Sequence, residues 1–295
     1  MNILISGSSG LVGSALVPAL VAGAHKVMRL VRQQPAAGTP EIHWDPAGTL
    51  DPAALDGFDA VIHLAGESIA ARWTPARKAR IRDSRVQGTR TVATAMAKCA
   101  RPPGILICAS AVGYYGDRGE EILTEASPPG TGFLAETCRE WEAASAAALA
   151  VGVRVVPLRF GIILSKNGGA LKMMLPPFRL GLGGRLGSGR QYMSWISIED
   201  VVGVIQHALT NESLKGPANA VSPVTVTNAE FTQTLGRVLG RPTILPVPTL
   251  AVRTLFGEMG QELLLASQGV LPERLRQSGY SFRHPELEQA LRALL

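Results

Sequence analysis

The sequence predicts an α/β protein, a doubly wound parallel sheet with a smaller C-terminal lobe. Three observations carry that expectation. Short apolar runs of strand length alternate with helix-length segments through the first half of the chain. A three-glycine turn, Gly7-Ser8-Ser9-Gly10-Leu11-Val12-Gly13, joins the first such run to the first helical segment. The 295 residues are 46% hydrophobic and 18% charged, the balance of a globular chain with a sizeable core, which excludes disordered and collagen-like classes.

The elements follow in order. Residues 3–6, Ile-Leu-Ile-Ser, form an apolar run that stops at Gly7, as a buried parallel strand does. Leu11 to Ala22 reads as a helix with Pro18 as an internal kink. Val27 to Val31 and Ala60 to Ala65 read as strands, the second ending at Gly66. Thr74-Pro75 is an N-cap followed by proline at the first helical position, and the helix behind it runs to about Cys99. Ile105 to Ser110 is strand, Gly132 to Leu149 an alanine-rich helix, and Val153 to Arg159 strand again. Beyond Ser165 the alternation loosens into glycine-rich sequence with adjacent Pro176 and Pro177. Ile198 to Leu209 is helical, with Glu199 and Asp200 in the first turn where carboxylates suit the dipole. Thr227-Asn228-Ala229-Glu230 is a capping box. The expected division is a main domain over 1–164 and 196–215 and a substrate lobe over 165–195 and 216–295.

Several classes are set aside. No apolar run reaches the roughly 18 residues of a membrane span, and the first residues lack the pattern of a signal peptide. Cys99, Cys108 and Cys138 are odd in number and widely spaced, so a reducing cytoplasm is expected instead of a disulfide framework. The five histidines show no metal spacing, and His63, within a strand, is expected to be a satisfied buried histidine. The net charge is +6. A basic stretch (Arg72, Arg77, Lys78, Arg80, Arg82, Arg85, Arg90) accompanies no nucleic-acid-binding pattern, so neither nucleic acid nor membrane is an expected partner.

The glycine turn carries the chemistry. A tight strand-to-helix turn needs glycine where φ is positive or where backbone must approach a ligand. The helix that follows then offers unpaired N–H groups and a positive dipole end to a pyrophosphate. Gly7, Ser9, Gly10, Leu11, Val12 and Gly13 are therefore candidate cofactor contacts. An acid at the end of the second strand would favour the free ribose of NAD, and an arginine the 2′-phosphate of NADP. No Asp or Glu precedes Glu41, and the strand ends at Arg32, which selects NADP(H).

The Gly-x-x-Gly-x-x-Gly spacing resembles the short-chain dehydrogenase/reductase superfamily, and further segments resemble its extended members with a Rossmann sheet. His63-Leu64-Ala65-Gly66 is similar to their fourth-strand end, which lines the cofactor. Leu158-Arg159-Phe160-Gly161 resembles the region after their sixth strand, and Ser194 to Val201 a segment beyond it. Gly66-Glu67-Ser68-Ile69, Ser84-Arg85, Gly113-Tyr114-Tyr115-Gly116, Phe133-Leu134-Ala135 with Cys138, Trp141 and Glu142, and the tail Gly279-Tyr280-Ser281-Phe282 resemble an atypical epimerase-like subgroup often labelled "cell division inhibitor". The resemblance implies Leu64, Ala65, Gly66, Arg85, Ser110 and Arg159 as further cofactor contacts.

The same resemblance exposes a departure. Extended members use a Ser or Thr, a Tyr, and a Lys four residues later. Ser110 can fill the first position, but the Tyr position falls at Phe133 and the Lys position at Thr137 or Cys138. Tyr114, Tyr115 and Glu67, with Cys138 as a weaker choice, are open as replacements for the missing proton-transfer group. Two functions follow. One is an NADP(H)-dependent oxidoreductase or epimerase acting on a small carbonyl or sugar-nucleotide-like substrate, with Arg159, Arg179, Arg185 and Arg190 available to an anionic one. The alternative is a non-catalytic NADP-binding sensor or partner-binding protein. The resemblance also implies a homodimer through the helices at 75–99 and 132–150.

Overall fold

The computed structural model describes residues 1–295. Seven strands form one parallel sheet: β1 (Asn2–Ser6), β2 (Lys26–Val31), β3 (Glu41–His43), β4 (Ala60–His63), β5 (Ile105–Ala111), β6 (Arg154–Phe160) and β7 (Ala218–Ala220). Their spatial order is β3-β2-β1-β4-β5-β6-β7, with every neighbour parallel. The chain leaves β1 in one direction to β2 and β3, then returns to β4 on the other side. The order therefore reverses between β1 and β4, where a doubly wound sheet opens a crevice at the carboxyl ends of its strands.

The helices are α1 (Leu11–Ala22), α2 (Pro75–Lys98), α3 (Phe133–Ala143), α4 (Ala146–Ala150), α5 (Gly169–Arg179), α6 (Ile198–Thr210), α7 (Asn228–Leu239), α8 (Thr249–Met259), α9 (Glu273–Gln277) and α10 (Leu287–Leu294). Strand alternation divides the core in two. Ile3, Ile5, Ile62, Ile107 and Leu158 pack with Leu16 and Leu20 of α1 and Val201, Val204 and Ile205 of α6. Leu4, Val61, Leu106 and Val155, one residue out of phase, pack with Val92 and Met96 of α2 and Ala148 of α4. A third cluster builds the lobe from α5, α7 and α10, through Leu171, Leu175, Phe231, Leu235 and Leu291.

Caps formed where the residues call for them. The Thr74 hydroxyl accepts from the Arg77 N–H, and the Thr227–Glu230 box is complete. Pro18 lies inside α1 on its exposed side. Four details differ from the sequence expectation. The alanine-rich helix is two helices, because Ser145 turns its hydroxyl onto the Glu142 carbonyl at 2.7 Å and competes with the helical ladder. The strand from Ala60 ends at His63 rather than Ala65. The strands β3 and β7 add to the sheet, and at three residues each they are too short to show a period. Since β7 pairs with Leu158–Phe160, residues 218–220 complete the main sheet although they lie beyond position 215.

One buried acid ties the C-terminal segment to α6 of the main domain. Asp200, 1% exposed, accepts from the Ser197 hydroxyl, the Tyr280 hydroxyl and the backbone N–H groups of Arg283 and His284. No helix is long and apolar enough to cross a membrane.

Candidate functional site

The glycine turn sits at the β1 side of the crevice. Gly7 has φ +72°, and a Cβ there would stand 2.6 Å from the Leu64 carbonyl carbon. A Cβ on Gly13 would meet the Gly7 oxygen at 2.3 Å, so the third glycine lets α1 close onto the turn. Gly10 caps α1 without a side chain, and the first turn holds no acid. The helix end is thus open and its positive partial charge uncancelled. Ser9 and Gly10 are exposed, Leu11 and Val12 half-buried, and Leu64, Ala65 and Gly66 follow β4 across the crevice. Arg32 is exposed just past β2 and forms no ion pair, whereas Arg29 of the same strand is bound to Glu41 at 2.8 Å. This cradle fits a dinucleotide, with Arg32 free for an additional phosphate.

On the β5 side the structure gathers residues that the sequence had placed apart. Ser110, 2% exposed at the end of β5, donates to Glu142 at 2.6 Å. Arg159 on β6 donates to both oxygens of Glu142, from Nε and Nη2 at 2.8 Å each. Its Nη1 donates to the Tyr115 hydroxyl at 2.9 Å, and that hydroxyl donates to Asn219 of β7 at 2.8 Å. Burial opposes the charge on Arg159, but the Glu142 carboxylate outweighs it and holds the guanidinium above its ordinary pKa. Burial likewise pushes the Tyr115 phenol up. Arg159, expected to face cofactor or an anionic substrate, is 3% exposed and fully engaged inside the fold. Ser110 spends its proton on Glu142, and Tyr115 is entirely buried. Tyr114 differs: it is half-buried, its ring is held 3.5 Å from the Arg159 guanidinium, and its hydroxyl has no partner in the chain.

The expected Tyr and Lys positions hold no proton-transfer group. Phe133 packs edge-on against Trp73, with the Lys78 ammonium 4.7 Å from its ring. Thr137 is buried with an unpartnered hydroxyl. Cys138 is buried, and that burial pushes its thiol up to about 12, so it is neutral and inert near neutrality. Glu67 is half-buried and lies 3.3 Å from Arg77. Arg85 donates through Nη1 to the carbonyls of Glu67 and Ile81 and lies over the Trp141 ring at 5.0 Å.

His63 is only half satisfied, contrary to expectation. Its Nδ1 meets the Ser6 hydroxyl at 2.7 Å, while Nε2 has no partner, and burial lowers the imidazole to about 4. Three participants were missed from sequence, Asn219 of β7 among them, because the strand that carries it is too short to show a period. Glu142 stood inside a recognised motif without an assigned role, and its signal was the acid one turn after Cys138 on a helix facing β5. Glu262 had no sequence signal. Its carboxylate accepts from the N–H groups of Phe133 and Leu134 at 3.0 and 2.9 Å and so caps α3 from a segment more than a hundred residues away.

A parallel sheet whose order reverses beside a three-glycine turn defines a dinucleotide-binding α/β protein of the extended short-chain dehydrogenase/reductase type. More narrowly, residues 3–221 match the model of the NAD dependent epimerase/dehydratase family, and the chain belongs to that family. Residues 247–294 match a domain of unknown function. An epimerase family protein of Mycobacterium bovis is 48% identical over 291 residues, covering 98% of this chain and 96% of the relative. The human epimerase family protein SDR39U1 is 38% identical with full coverage of both chains. The crystal structure of human SDR39U1 (isoform2) with NADPH superposes with a TM-score of 0.92 at 36% identity, covering 100% of this chain and 99% of that one. A nucleoside-diphosphate sugar epimerase from Corynebacterium glutamicum gives a TM-score of 0.82 at 38% identity, covering 100% of this chain and 58% of that one.

Proposed function

We propose that the protein binds NADP(H) and acts as an oxidoreductase or epimerase on a small carbonyl or sugar-nucleotide-like substrate. The observation that carries the cofactor assignment is the open, acid-free α1 end bounded by Gly7 and Gly13, with Arg32 exposed and unpaired beyond β2. The human relative crystallised with NADPH and the Corynebacterium sugar-nucleotide epimerase support it. Gly7, Ser9, Gly10, Leu11, Val12 and Gly13 would hold the pyrophosphate, and Leu64, Ala65 and Gly66 would flank it. When bound, the nicotinamide would supply hydride exchange. The chain's own part is to orient the cofactor and to move a proton, and Tyr114 is the phenol left free to do so, with Glu67, on the loop after β4 and paired with Arg77, as the other candidate. Titration tests the assignment: Arg32→Ala lowers NADPH affinity at least tenfold and leaves NADH nearly unchanged. Equal affinity of the unaltered protein for NADH and NADPH overturns it.

One observation favours a second reading, a non-catalytic NADP(H)-binding sensor or partner-binding module. Ser110 and Tyr115 spend their hydroxyl protons inside the fold, and Phe133 and Cys138 offer none. A panel of carbonyl compounds and sugar nucleotides, followed by NADPH absorbance and by product analysis, separates the two. Turnover that Tyr114→Phe abolishes supports the enzyme. No product and no absorbance change with any substrate supports the sensor.

A further inference from the structure

The C-terminal lobe carries a surface of a single charge sign. Residues 166–198 and 231–257 contain eight Lys and Arg and no Asp or Glu. The two stretches run side by side just past α5. Arg241 donates from Nε to the Arg179 carbonyl at 2.8 Å, and the Val247 N–H donates to the Arg185 carbonyl at 2.8 Å. Arg179, Arg185, Arg241 and Arg253 are exposed and form no ion pair, whereas Arg237 of the same stretches is bound to Glu288 at 2.6 Å.

The same surface is apolar. Leu180 and Leu182 follow α5, Ile244 and Leu245 lie in the adjoining loop, and Leu250 is in the first turn of α8. Leu180 is 75% exposed, Ile244 80% and Leu250 76%, so these side chains project from the protein instead of lining a groove. A Cβ on Gly181 would stand 3.7 Å from the Pro242 ring, which makes the two apolar loops neighbours. Arg253 is one turn along α8 from Leu250. Single apolar residues are ordinary on a surface, but a cluster of them along one edge, rimmed by polar groups, marks an interaction site.

The charge and the shape of this edge select its occupant. A second copy of the chain in a two-fold contact would set an acid-free face on itself, cation against cation. An amphipathic helix of a partner protein needs an apolar groove, whereas the cleft beside the loop is lined chiefly by Arg185, Thr232, Gln233 and Thr243. An anionic lipid surface needs no matching shape. Projecting leucine and isoleucine side chains enter the boundary between headgroups and acyl chains, while the surrounding arginines meet the headgroups. We propose that this arginine-rimmed apolar edge docks the protein peripherally on an anionic lipid surface. The basic stretch at 72–90 and the lack of a spanning run gave no reason to expect a membrane partner. Neither bears on this edge, which would rest on a bilayer without crossing it.

Vesicle sedimentation with the full chain tests the proposal. Vesicles of equal parts phosphatidylcholine and phosphatidylglycerol are expected to bind the protein at least tenfold more tightly than phosphatidylcholine alone, and added salt is expected to weaken that binding. Two double variants separate the contributions. Arg241→Glu with Arg253→Glu reverses two of the four unpaired charges, and Leu180→Ser with Ile244→Ser removes two projecting side chains. Each is expected to lower binding to the mixed vesicles at least tenfold while the melting temperature stays near that of the parent, which shows that the variant is folded. Equal binding to the two kinds of vesicle, or unchanged binding in both variants, overturns the proposal. Binding that the arginine pair lowers and the apolar pair does not would show an anion contact only, of the kind an acidic polypeptide makes, and overturns it too. So does a concentration-dependent dimer in analytical ultracentrifugation that the same variants dissociate, since the edge would then belong to a second copy.

Discussion

Glu142→Gln is the sharpest probe of how the crevice is held together. Glu142 accepts three charge-assisted or short hydrogen bonds, two from Arg159 and one from Ser110. Its side chain is 12% exposed and that of Arg159 is 4% exposed, so solvent does little to screen the pair. Glutamine preserves the shape but removes the charge, and its amide turns a donor toward donors. Removing one partner of a buried pair costs about 3–5 kcal/mol. Since the glutamine oxygen still accepts one bond, about 3 kcal/mol is expected. That is a large share of a total stability of roughly 5–15 kcal/mol. Urea unfolding followed by tryptophan fluorescence measures it, with Trp141 one residue away on α3. At roughly 2–4 °C per kcal/mol for a chain of this size class, the melting temperature falls by about 6–12 °C. The control is the double replacement Glu142→Met with Arg159→Met, which removes both charges together and is expected to recover at least half of the loss. A Glu142→Gln variant within about 0.5 kcal/mol of the parent, the scatter of an ordinary surface substitution, refutes the reasoning. So does a double variant no more stable than the single.

Three further outcomes are expected. Gly13→Ala sets a Cβ 2.3 Å from the Gly7 oxygen, so it should abolish measurable NADPH binding and destabilise the fold by about 1–3 kcal/mol, by calorimetry and denaturant unfolding. His63 stays neutral in the fold down to about 4, while the unfolded chain protonates it below about 6.5. Stability from this group is therefore full above pH 6.5 and falls as pH drops toward 4. Between pH 7 and pH 5 the parent should lose about 2 kcal/mol more than His63→Asn, and parallel pH profiles would count against it. Glu262→Ala strips the cap from two N–H groups of α3 and should cost about 0.5–2 kcal/mol, with amide exchange at Phe133 and Leu134 accelerated. Unchanged exchange there would show that the cap is not needed.

Legibility from sequence followed the range of the interactions. The strand runs at 3–6 and 105–110, the Thr74 and Thr227 caps and the glycine turn were all readable, because each depends on residues within one turn of one another. The strands β3 and β7 were not, since three residues give no period and their partners lie far away in the chain. The same limit hid the Ser110–Glu142–Arg159–Tyr115–Asn219 network, which spans β5, α3, β6, the turn after β5 and β7. Arg159 looked like a free cation because a sequence shows a charge and not its counter-ion.

The absent Tyr and Lys therefore have a structural counterpart. On α3 the two positions are filled by an aromatic ring packed on Trp73 and by buried groups beside Ala135 and Trp141, which make that helix part of the core. The end of α3 is stabilised from outside, by a carboxylate of the C-terminal segment at Glu262 instead of by a residue of its own turn. A phenol and a cation remain at the same end of the sheet, on other elements: Tyr114 on the turn after β5, and Arg85 on α2. Tyr114 is steadied by the Arg159 guanidinium, which is itself fixed by Glu142. A proton-transfer role for Tyr114 would thus depend on Glu142 without Glu142 touching the substrate. Glu142→Gln should then lower the rate of turnover while leaving 2′,5′-ADP affinity intact, since an adenosine end docked at β2 would lie across β1 from the network.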